Sequence, residues 1–492
     1  MKWSSNVSRG DIVNIKSLFE VDYDLEVTGI STDNRLVRSG DLFVCIKGYT
    51  VDGHRFAKQA EEAGAVAIIC EHEVDEVTVP QIIVNDTAIE LPRLAHLMYH
   101  KPTEKLNLFG LTGTNGKTTT AYILEHLLSG FEGHVGYIGT NGIRYADVFI
   151  EPKNTTPEPL SLQRTFKEMV EAGVHNVAIE VSSHALELHR VDYCQFKVAL
   201  FTNLTPEHLD FHPTMEEYFE AKYKLFEMLT PDGCAIVNYD DPYGAKLVER
   251  LNQNQVSVYT YGIHQEADFQ AKEIEMTTTG TTFKLSSPLG EFEIKTPLLG
   301  TFNVYNALGA MASAYSAGMP MEMIQTLIAT LSPVDGRMEI INEGQDFTVI
   351  VDYAHTPDGV EKVLEFVTGM KQNSVKVVIG CPGDRDRTKR PVIAKLTVDY
   401  ADDVIFTTDD PHSEDPVDIL NEMVAGVKEE HYQVIVDRIE AIEAAINKAQ
   451  KNDIVLIAGR GHEQIQYWKT GNIRLDDREV AKEMLRKKLA TS

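Results

Sequence analysis

Cysteine is scarce in this chain of 492 residues: Cys45, Cys70, Cys194, Cys234 and Cys381 are scattered and odd in number. They share no paired ligand spacing, so neither a disulfide framework nor a zinc site is expected, and buried thiols are the better reading. Cys381 alone sits in a glycine-bearing loop after a strand, but no base adjoins it in sequence and a nucleophilic role is the lesser reading. Basic residues are also few, 46 against 74 acidic ones, for a formal net charge of -28. That balance repels a polyanionic duplex and leaves no general footprint for nucleic acid, while local basic pockets for a small phosphorylated ligand stay possible. The longest apolar runs fall short of the roughly 18 residues a membrane span requires. The opening residues, Met1 to Asn6, lack the apolar core of a secretory signal. A cytoplasmic protein without membrane insertion, monomeric and acting on small molecules, is expected. Fixed-period repeats and low-complexity tracts are missing as well.

What is present is the composition of a globular chain, with 43% hydrophobic and 24% charged residues, long enough for about three domains. The most informative stretch is Gly110-Leu111-Thr112-Gly113-Thr114-Asn115-Gly116-Lys117-Thr118-Thr119-Thr120. It follows an apolar run and opens a helical one, the strand, glycine turn and helix start of a phosphate cradle. Amides freed by the turn point at phosphate oxygens, Lys117 reaches the terminal phosphates, and the Thr118 hydroxyl meets magnesium. ATP, or GTP as the second choice, is the expected ligand.

The rhythm of the chain is α/β throughout. Three domains are expected at residues 1–104, 105–332 and 333–492. The first is a small module with strands at 42–46 and 65–70 and a helix at 57–63, and a polar linker follows at 101–104. The second alternates strands at 176–180 and 198–202 with helices at 160–172 and 215–228, the pattern of a mostly parallel sheet covered by helices. Residues 256–295, rich in Thr and Gln, alternate apolar and polar positions and read as an antiparallel edge before a helix at 304–318. Past Pro333 and Gly336, which mark a hinge or a rigid turn, strands are expected at 347–351, 375–379, 404–407, 434–436 and 454–458. Glu180 and His208 come after strand ends, where parallel sheets bind ligands. A carboxylate and a neutral imidazole there suit magnesium held against phosphates.

Short strings in order along nearly the whole chain then resemble one family: Thr32-Asp33-Asn34-Arg35, the Gly110–Thr120 loop, Asn154-Thr155-Thr156-Pro157, Glu180-Val181-Ser182-Ser183-His184, His208-Leu209-Asp210-Phe211-His212, Phe302-Asn303-Val304-Tyr305-Asn306-Ala307, Gly336-Arg337-Met338-Glu339, Asp352-Tyr353-Ala354-His355-Thr356-Pro357 and Gly461-His462-Glu463. The chain looks like the Mur ligases, ATP-dependent amide-bond ligases of peptidoglycan precursor synthesis, and thus of cell-wall biogenesis, cell shape and division. Within them it resembles the branch that adds the third peptide residue to UDP-N-acetylmuramoyl-L-alanyl-D-glutamate. The resemblance implies an N-terminal UDP-sugar domain, a central phosphate-loop ATPase domain and a C-terminal Rossmann-like domain for the incoming amino acid.

Carried over by motif, Gly113, Thr114, Asn115, Gly116, Lys117, Thr118 and Thr119 hold the ATP phosphates, and Asn303, Arg337 and Asp352 meet adenine, phosphate and ribose. Thr118, Glu180, His208 and Lys222 serve magnesium, with Lys222 as the carbamylated lysine of the family; Lys117, Glu180, His208 and Lys222 form the catalytic set. By residue type alone Lys222 is a solvated helix charge, Asn303 a helix cap and Arg337 a domain-interface ion pair. The UDP-sugar end is read from Ser31, Asp33, Thr155, Thr156, Ser182 and Arg190, hydroxyls and a guanidinium suited to pyrophosphate and sugar. Ser31 to Asp33 also fit an ordinary turn cap. His184 either orders the substrate peptide or packs under Ser183.

The incoming amino acid is expected to meet Arg385, Asp409, Asp410, His412, Gly459 and Glu463. Relatives that use meso-diaminopimelate carry Asp-Asn-Pro-Arg, whose arginine holds the distal carboxylate. This chain has Asp409-Asp410-Pro411-His412. Without the arginine, and with Asp410, Glu414 and Asp415 nearby, L-lysine is the expected substrate, ahead of diaminopimelate and L-ornithine. The implied chemistry is phosphorylation of the D-glutamate γ-carboxylate by ATP, then attack of the amino acid's α-amine on the acyl phosphate. A folylpolyglutamate-type ligase and a non-enzymatic nucleotide switch stand as more distant readings, neither of which explains the N-terminal module.

Overall fold

A computed structural model describes residues 12–48, 51–151, 153–209, 211–277, 280–332, 334–428 and 432–491. Pro333 of the expected hinge and Asp210 lie outside the described residues. The described chain forms three α/β units in sequence order.

In the first unit, Gly29–Ser31, Asp41–Val44, Ala67–Cys70 and Gln81–Ile83 form a four-stranded parallel sheet. The two middle strands are buried at every position, as a sheet covered on both faces requires. Side chains alternate between two cores: Leu42, Val44 and Ile69 pack with Leu94 of helix Thr87–Met98, while Phe43, Cys45 and Ile68 pack with Ala57 and Ala60 of helix Ala57–Glu62.

The second unit is built on an eleven-stranded sheet. At its centre the parallel strands Val135–Gly139, Asn176–Glu180, Asn107–Thr112, Phe196–Phe201, Leu229–Asn238 and Ser257–Gly262 lie in that order. Phe109 and Leu111 face a core with helices Lys117–Glu132 and Thr301–Ser316, and Leu108 and Phe201 face one with helices Pro159–Glu171 and Met215–Glu227. The Thr- and Gln-rich stretch supplies the antiparallel edge Phe269–Thr277, Gly280–Ser287 and Gly290–Thr296. The opposite edge, Gly142–Tyr145 and Val148–Ile150, went unread in the sequence.

The third unit orders Glu339–Ile341, Thr348–Asp352, Ile454–Ala458, Val375–Ile379, Asp403–Phe406 and Gln433–Val434, parallel except for the first. Its edge strand is Gln433–Val434 rather than 434–436, with Ile435 N–H still donating to Phe406 O at 3.0 Å just beyond it. All five cysteines are free and buried. Among the described residues no helix is long and apolar enough to cross a membrane.

Candidate active site

Segments beyond the strand ends of the central and C-terminal units meet across a crevice, where Asn115 bonds Asp358, Arg337 reaches Thr118 and His355 approaches Glu207. Strand Asn107–Thr112 ends in the glycine loop. Gly113 and Gly116 take φ of 144° and 86°, a region that favours glycine, and a Cβ on Gly113 would sit 1.9 Å from Thr202 Oγ1. The loop is fastened from the next strand end: Asn115 N–H donates to Asn203 Oδ1 at 2.9 Å, and Asn115 O accepts from Thr202 Oγ1 at 2.7 Å. Thr114 N–H donates to Asn203 O at 2.9 Å. Thr119 is buried in the first turn of the helix.

Glu180 is fully buried at its strand end. Its Oε2 accepts from Thr118 Oγ1 at 2.9 Å, and its Oε1 accepts from Tyr137 OH at 2.7 Å and Thr140 N–H at 3.0 Å. Glu180 is therefore neither a solvated acid nor a helix cap. A hydroxyl beside a buried carboxylate is the hard-oxygen donor set that magnesium takes when phosphate supplies further ligands. Among the described residues no group of three or more His, Cys, Asp or Glu side chains is placed to hold a metal ion.

Lys117 Nζ donates to Gly113 O at 2.9 Å and to Thr114 O at 2.8 Å. Lys222, expected on local grounds to be solvated, is only 2% exposed, and its Nζ donates to the same Gly113 O at 2.9 Å. Burial, with Lys117 close by, pushes the Lys222 amine well below the usual lysine range. The half-buried His208 meets His184 edge-on at 4.8 Å, and its Nε2 lies 3.9 Å from Glu207. Desolvation lowers its pKa to about 4 against the pull of Glu207, so the imidazole is neutral. His184 stacks on Phe211 at 4.2 Å, and it is His212 that bonds Ser183, at 2.9 Å.

Asn303 is no helix cap. It lies buried inside helix Thr301–Ser316, donates to Leu299 O at 2.8 Å and accepts from Asn306. Arg337 crosses between units, not as an ion pair but by reaching Thr118 Oγ1 at 3.5 Å and lying over the Tyr353 ring at 4.3 Å. Asp352 is buried and accepts from Met338 N–H and Ala354 N–H, each at 2.7 Å.

On the side of the first unit, Asp33 caps a short helical turn and pairs with Arg35, and Ser31 Oγ donates to Asp33 O, so the cap reading is realised. Thr155 meets Thr140 at 3.1 Å. Thr156 Oγ1 donates to Glu180 O and accepts from Ser182 N–H, and Arg190 donates to Thr156 O at 3.2 Å. Thr156, Ser182 and Arg190 are thus tied to the main-chain carbonyl of Glu180, and Thr155 approaches its carboxylate only through Thr140.

In the third unit, Asp409 Oδ1 accepts from Asp410 N–H, while its Oδ2 is buried without a hydrogen-bond partner. Gly459 donates to Asp352 O at 3.1 Å. Glu463 accepts from Tyr353 OH at 3.3 Å, and burial together with Asp409 and Asp410 raises its carboxyl to about 8. His412 donates its N–H to Tyr467 O at 2.9 Å and stacks on the Tyr467 ring. Arg385 is exposed and donates to Asp384 O at 3.3 Å.

The acidic neighbourhood read from Asp410, Glu414 and Asp415 does not survive in three dimensions. Asp410 is paired with the fully buried Arg460, Glu414 with Arg390 at 2.8 Å, and Asp415 caps helix Pro416–Val424. Sequence reasoning missed several partners that organise the crevice, Tyr137, Thr140, Asn203 and Tyr353. Asn203, just past the strand Phe196–Phe201, had a signal in its position, because the first residues beyond a parallel strand's carboxyl end line the ligand crevice.

Three segments of the chain match the Mur ligase family: residues 26–99 its catalytic domain, 111–314 its middle domain and 336–461 its glutamate ligase domain. A UDP-N-acetylmuramoyl-L-alanyl-D-glutamate–2,6-diaminopimelate ligase of Bacillus licheniformis is 48% identical over 466 residues, covering 93% of this chain and 94% of that one. Its namesake of Bacillus cereus is 47% identical, with 94% of each covered. A solved structure of an enzyme of the same name superposes with a TM-score of 0.70 at 31% identity, over 97% of this chain and 99% of its own. These relatives overturn the expectation of L-lysine: each is named for 2,6-diaminopimelate, and the carboxylates on which that expectation rested are already engaged by arginines or a helix end. The N-terminal match also sets aside the folylpolyglutamate-type and switch readings, and over nearly its whole length the chain belongs to the Mur ligase family of ATP-dependent ligases.

Proposed function

We propose that this ligase joins 2,6-diaminopimelate to UDP-N-acetylmuramoyl-L-alanyl-D-glutamate in the cytoplasm, as a step in peptidoglycan precursor synthesis. The observation that carries the substrate is the Asp410–Arg460 pair. It engages the central acid on which the lysine expectation rested, while Arg385 keeps a guanidinium at the loop surface for the distal carboxylate that lysine lacks. The names of the relatives agree.

Domain divisions near residues 104 and 332 separate the three binding tasks. Amides of Gly113 to Thr119 and the Lys117 ammonium hold the ATP phosphates; Asn303, Arg337 and Asp352 take adenine, phosphate and ribose. Thr118 and Glu180 would hold magnesium, with His208 and Lys222, the latter as its carbamate, serving a second position. When bound, the metal offsets charge on the transferring phosphoryl group. Ser31, Asp33, Thr155, Thr156, Ser182 and Arg190 grip the UDP-sugar and align its peptide. The γ-carboxylate attacks the terminal phosphorus of ATP, ADP leaves, and the acyl phosphate forms. The amino acid lies against Asp409, Asp410, His412 and Gly459, with its distal carboxylate met by Arg385 and its ammonium by Glu463; its α-amine loses a proton, attacks the acyl carbon and expels phosphate. No covalent intermediate on the protein is needed, and positioning with electrostatic stabilisation provides most of the rate.

A competition assay tests the substrate. Equimolar L-lysine, L-ornithine and meso-diaminopimelate are offered with the UDP-dipeptide, ATP and magnesium, and the products are weighed by mass spectrometry. The diaminopimelate adduct should dominate by about tenfold or more, equivalent to about 1.4 kcal/mol in the transition state. A dominant lysine or ornithine adduct overturns the assignment.

A further inference from the structure

The phosphate loop is held by two different units. The backbone of Asn115 is committed within the central unit, to Asn203 and Thr202. Its side chain turns the other way. Asn115 Nδ2 donates to Asp358 Oδ2 at 2.8 Å, and Asn115 Oδ1 accepts from Thr356 Oγ1 at 3.4 Å. Both partners belong to the C-terminal unit. Thr356 caps helix Pro357–Gly369 and Asp358 lies in its first turn.

Asp358 is itself fixed and balanced by Lys362, 2.9 Å away one turn along the helix. A carboxylate aimed at ATP phosphates would repel them. This one is spent on the Asn115 amide and on an ammonium, so its place beside the loop serves geometry. Just upstream, His355 Nε2 lies 3.7 Å from Glu207 Oε1, on the same 203–207 segment that holds Thr114 and Asn115. The stretch 352–358 therefore touches the amino-acid side through Tyr353 and Glu463, and the nucleotide side through Thr356 and Asp358.

We propose that Asp358, supported by Thr356, is a positioning residue that fastens the Asn115 side chain of the phosphate loop to the C-terminal unit, so that the acyl phosphate forms only where the amine can reach it. The proposal rests on the nucleotide reading of the loop. Asp358 is predicted to act on the geometry of transfer rather than on nucleotide affinity.

The test compares wild type, Asp358→Ala, Asp358→Asn, Asn115→Ala and the double alanine variant. It measures the ATP dissociation constant by calorimetry, kcat and KM for the amino acid, and compaction by X-ray scattering when the UDP-dipeptide and a non-hydrolysable ATP analogue are added. Asp358→Ala should keep ATP affinity within about threefold, lose about tenfold or more in ligation kcat, and lose the compaction. Asp358→Asn, whose amide oxygen still accepts the Asn115 N–H, should recover most of the rate. The double variant should be no slower than the slower single one, because both remove the same bond. Fully additive losses overturn the proposal, as does wild-type turnover in Asp358→Ala. A tenfold loss of ATP affinity in Asp358→Ala also overturns it, since that marks a nucleotide contact. Failure of wild type itself to bind ATP would instead defeat the nucleotide reading.

Discussion

Lys222 shows how far a residue's meaning depends on its surroundings. On a helix in a string of charged residues it reads as a solvated cation, yet it lies buried with Lys117 on one carbonyl oxygen. Burial first, and then the neighbouring Lys117 ammonium, push the Lys222 amine well below the usual lysine range. The neutral amine is the form that adds carbon dioxide to give a carbamate, which turns a cation into an oxygen donor. Lys222→Ala should lose about a hundredfold or more in turnover, about 2.7 kcal/mol, and regain part of it with millimolar acetate or another short carboxylic acid. Unmodified Lys222 in intact-mass spectra under bicarbonate, at full activity, would refute the carbamate. Glu463 makes a second case. Its carboxyl is raised to about 8, so it is largely protonated at pH 7 and ionises as pH rises through 8. An ammonium partner needs the ionised form, so kcat/KM for the amino acid should climb between pH 7 and 8.5. Glu463→Gln should flatten that part of the profile while leaving the contribution of the substrate amine itself; an unchanged slope would exclude Glu463 as the amine's partner.

At the level of elements, the strand, loop and helix around Gly113 were legible because the signals are local: an apolar run, glycines at a tight turn, and hydroxyl and lysine side chains at fixed offsets. The helix begins at Lys117, four residues before its apolar stretch, because the turn at Gly116 sets its start. Gly113→Ala should destabilise the protein by about 1–3 kcal/mol, from the strained φ and the clash with Thr202 Oγ1. It should abolish ATP binding by calorimetry even in the folded fraction; wild-type affinity would show that the loop tolerates a displaced backbone. The hairpin Gly142–Tyr145 and Val148–Ile150 was not legible. It is short and its outer strand is largely exposed, so no strong period of two marks it, and only the finished sheet makes it an edge.

For the molecule as a whole, the buried residues fall into separate cores: Ile15, Leu42 and Leu94 in the first unit, Phe109 and Leu308 or Leu108 and Phe201 on the two faces of the second, Val377 and Val351 on the two faces of the third. Leu160 and Phe302 of the second unit touch the cores of the first and third, yet units with their own cores need not melt together. Differential scanning calorimetry should give more than one transition, with a van't Hoff enthalpy well below the calorimetric one. The UDP-dipeptide and an ATP analogue together should draw the transitions closer, because they bind folded units across the crevice. A single two-state peak in the free protein would show that contacts such as Arg337 to Thr118 and Asp358 to Asn115 couple the units more strongly than their number implies.

The α/β class and the strand, glycine turn and helix around Gly113 were determined by the sequence alone, since periodicity and turn chemistry act over a few positions, whereas the order of strands within each sheet was set by the fold. The strings that place the chain among the Mur ligases were readable for the same reason. The charge environment of the amino-acid loop was decided only by the tertiary structure. Asp410 and Arg460 stand fifty residues apart in the chain, as Glu414 and Arg390 stand twenty-four apart. No count of nearby acids reveals which of them an arginine from a distant segment has neutralised. An anion's availability depends on its partners in space, and folding chooses those partners when it stacks the ends of strands Asp403–Phe406 and Ile454–Ala458 on one side of the sheet.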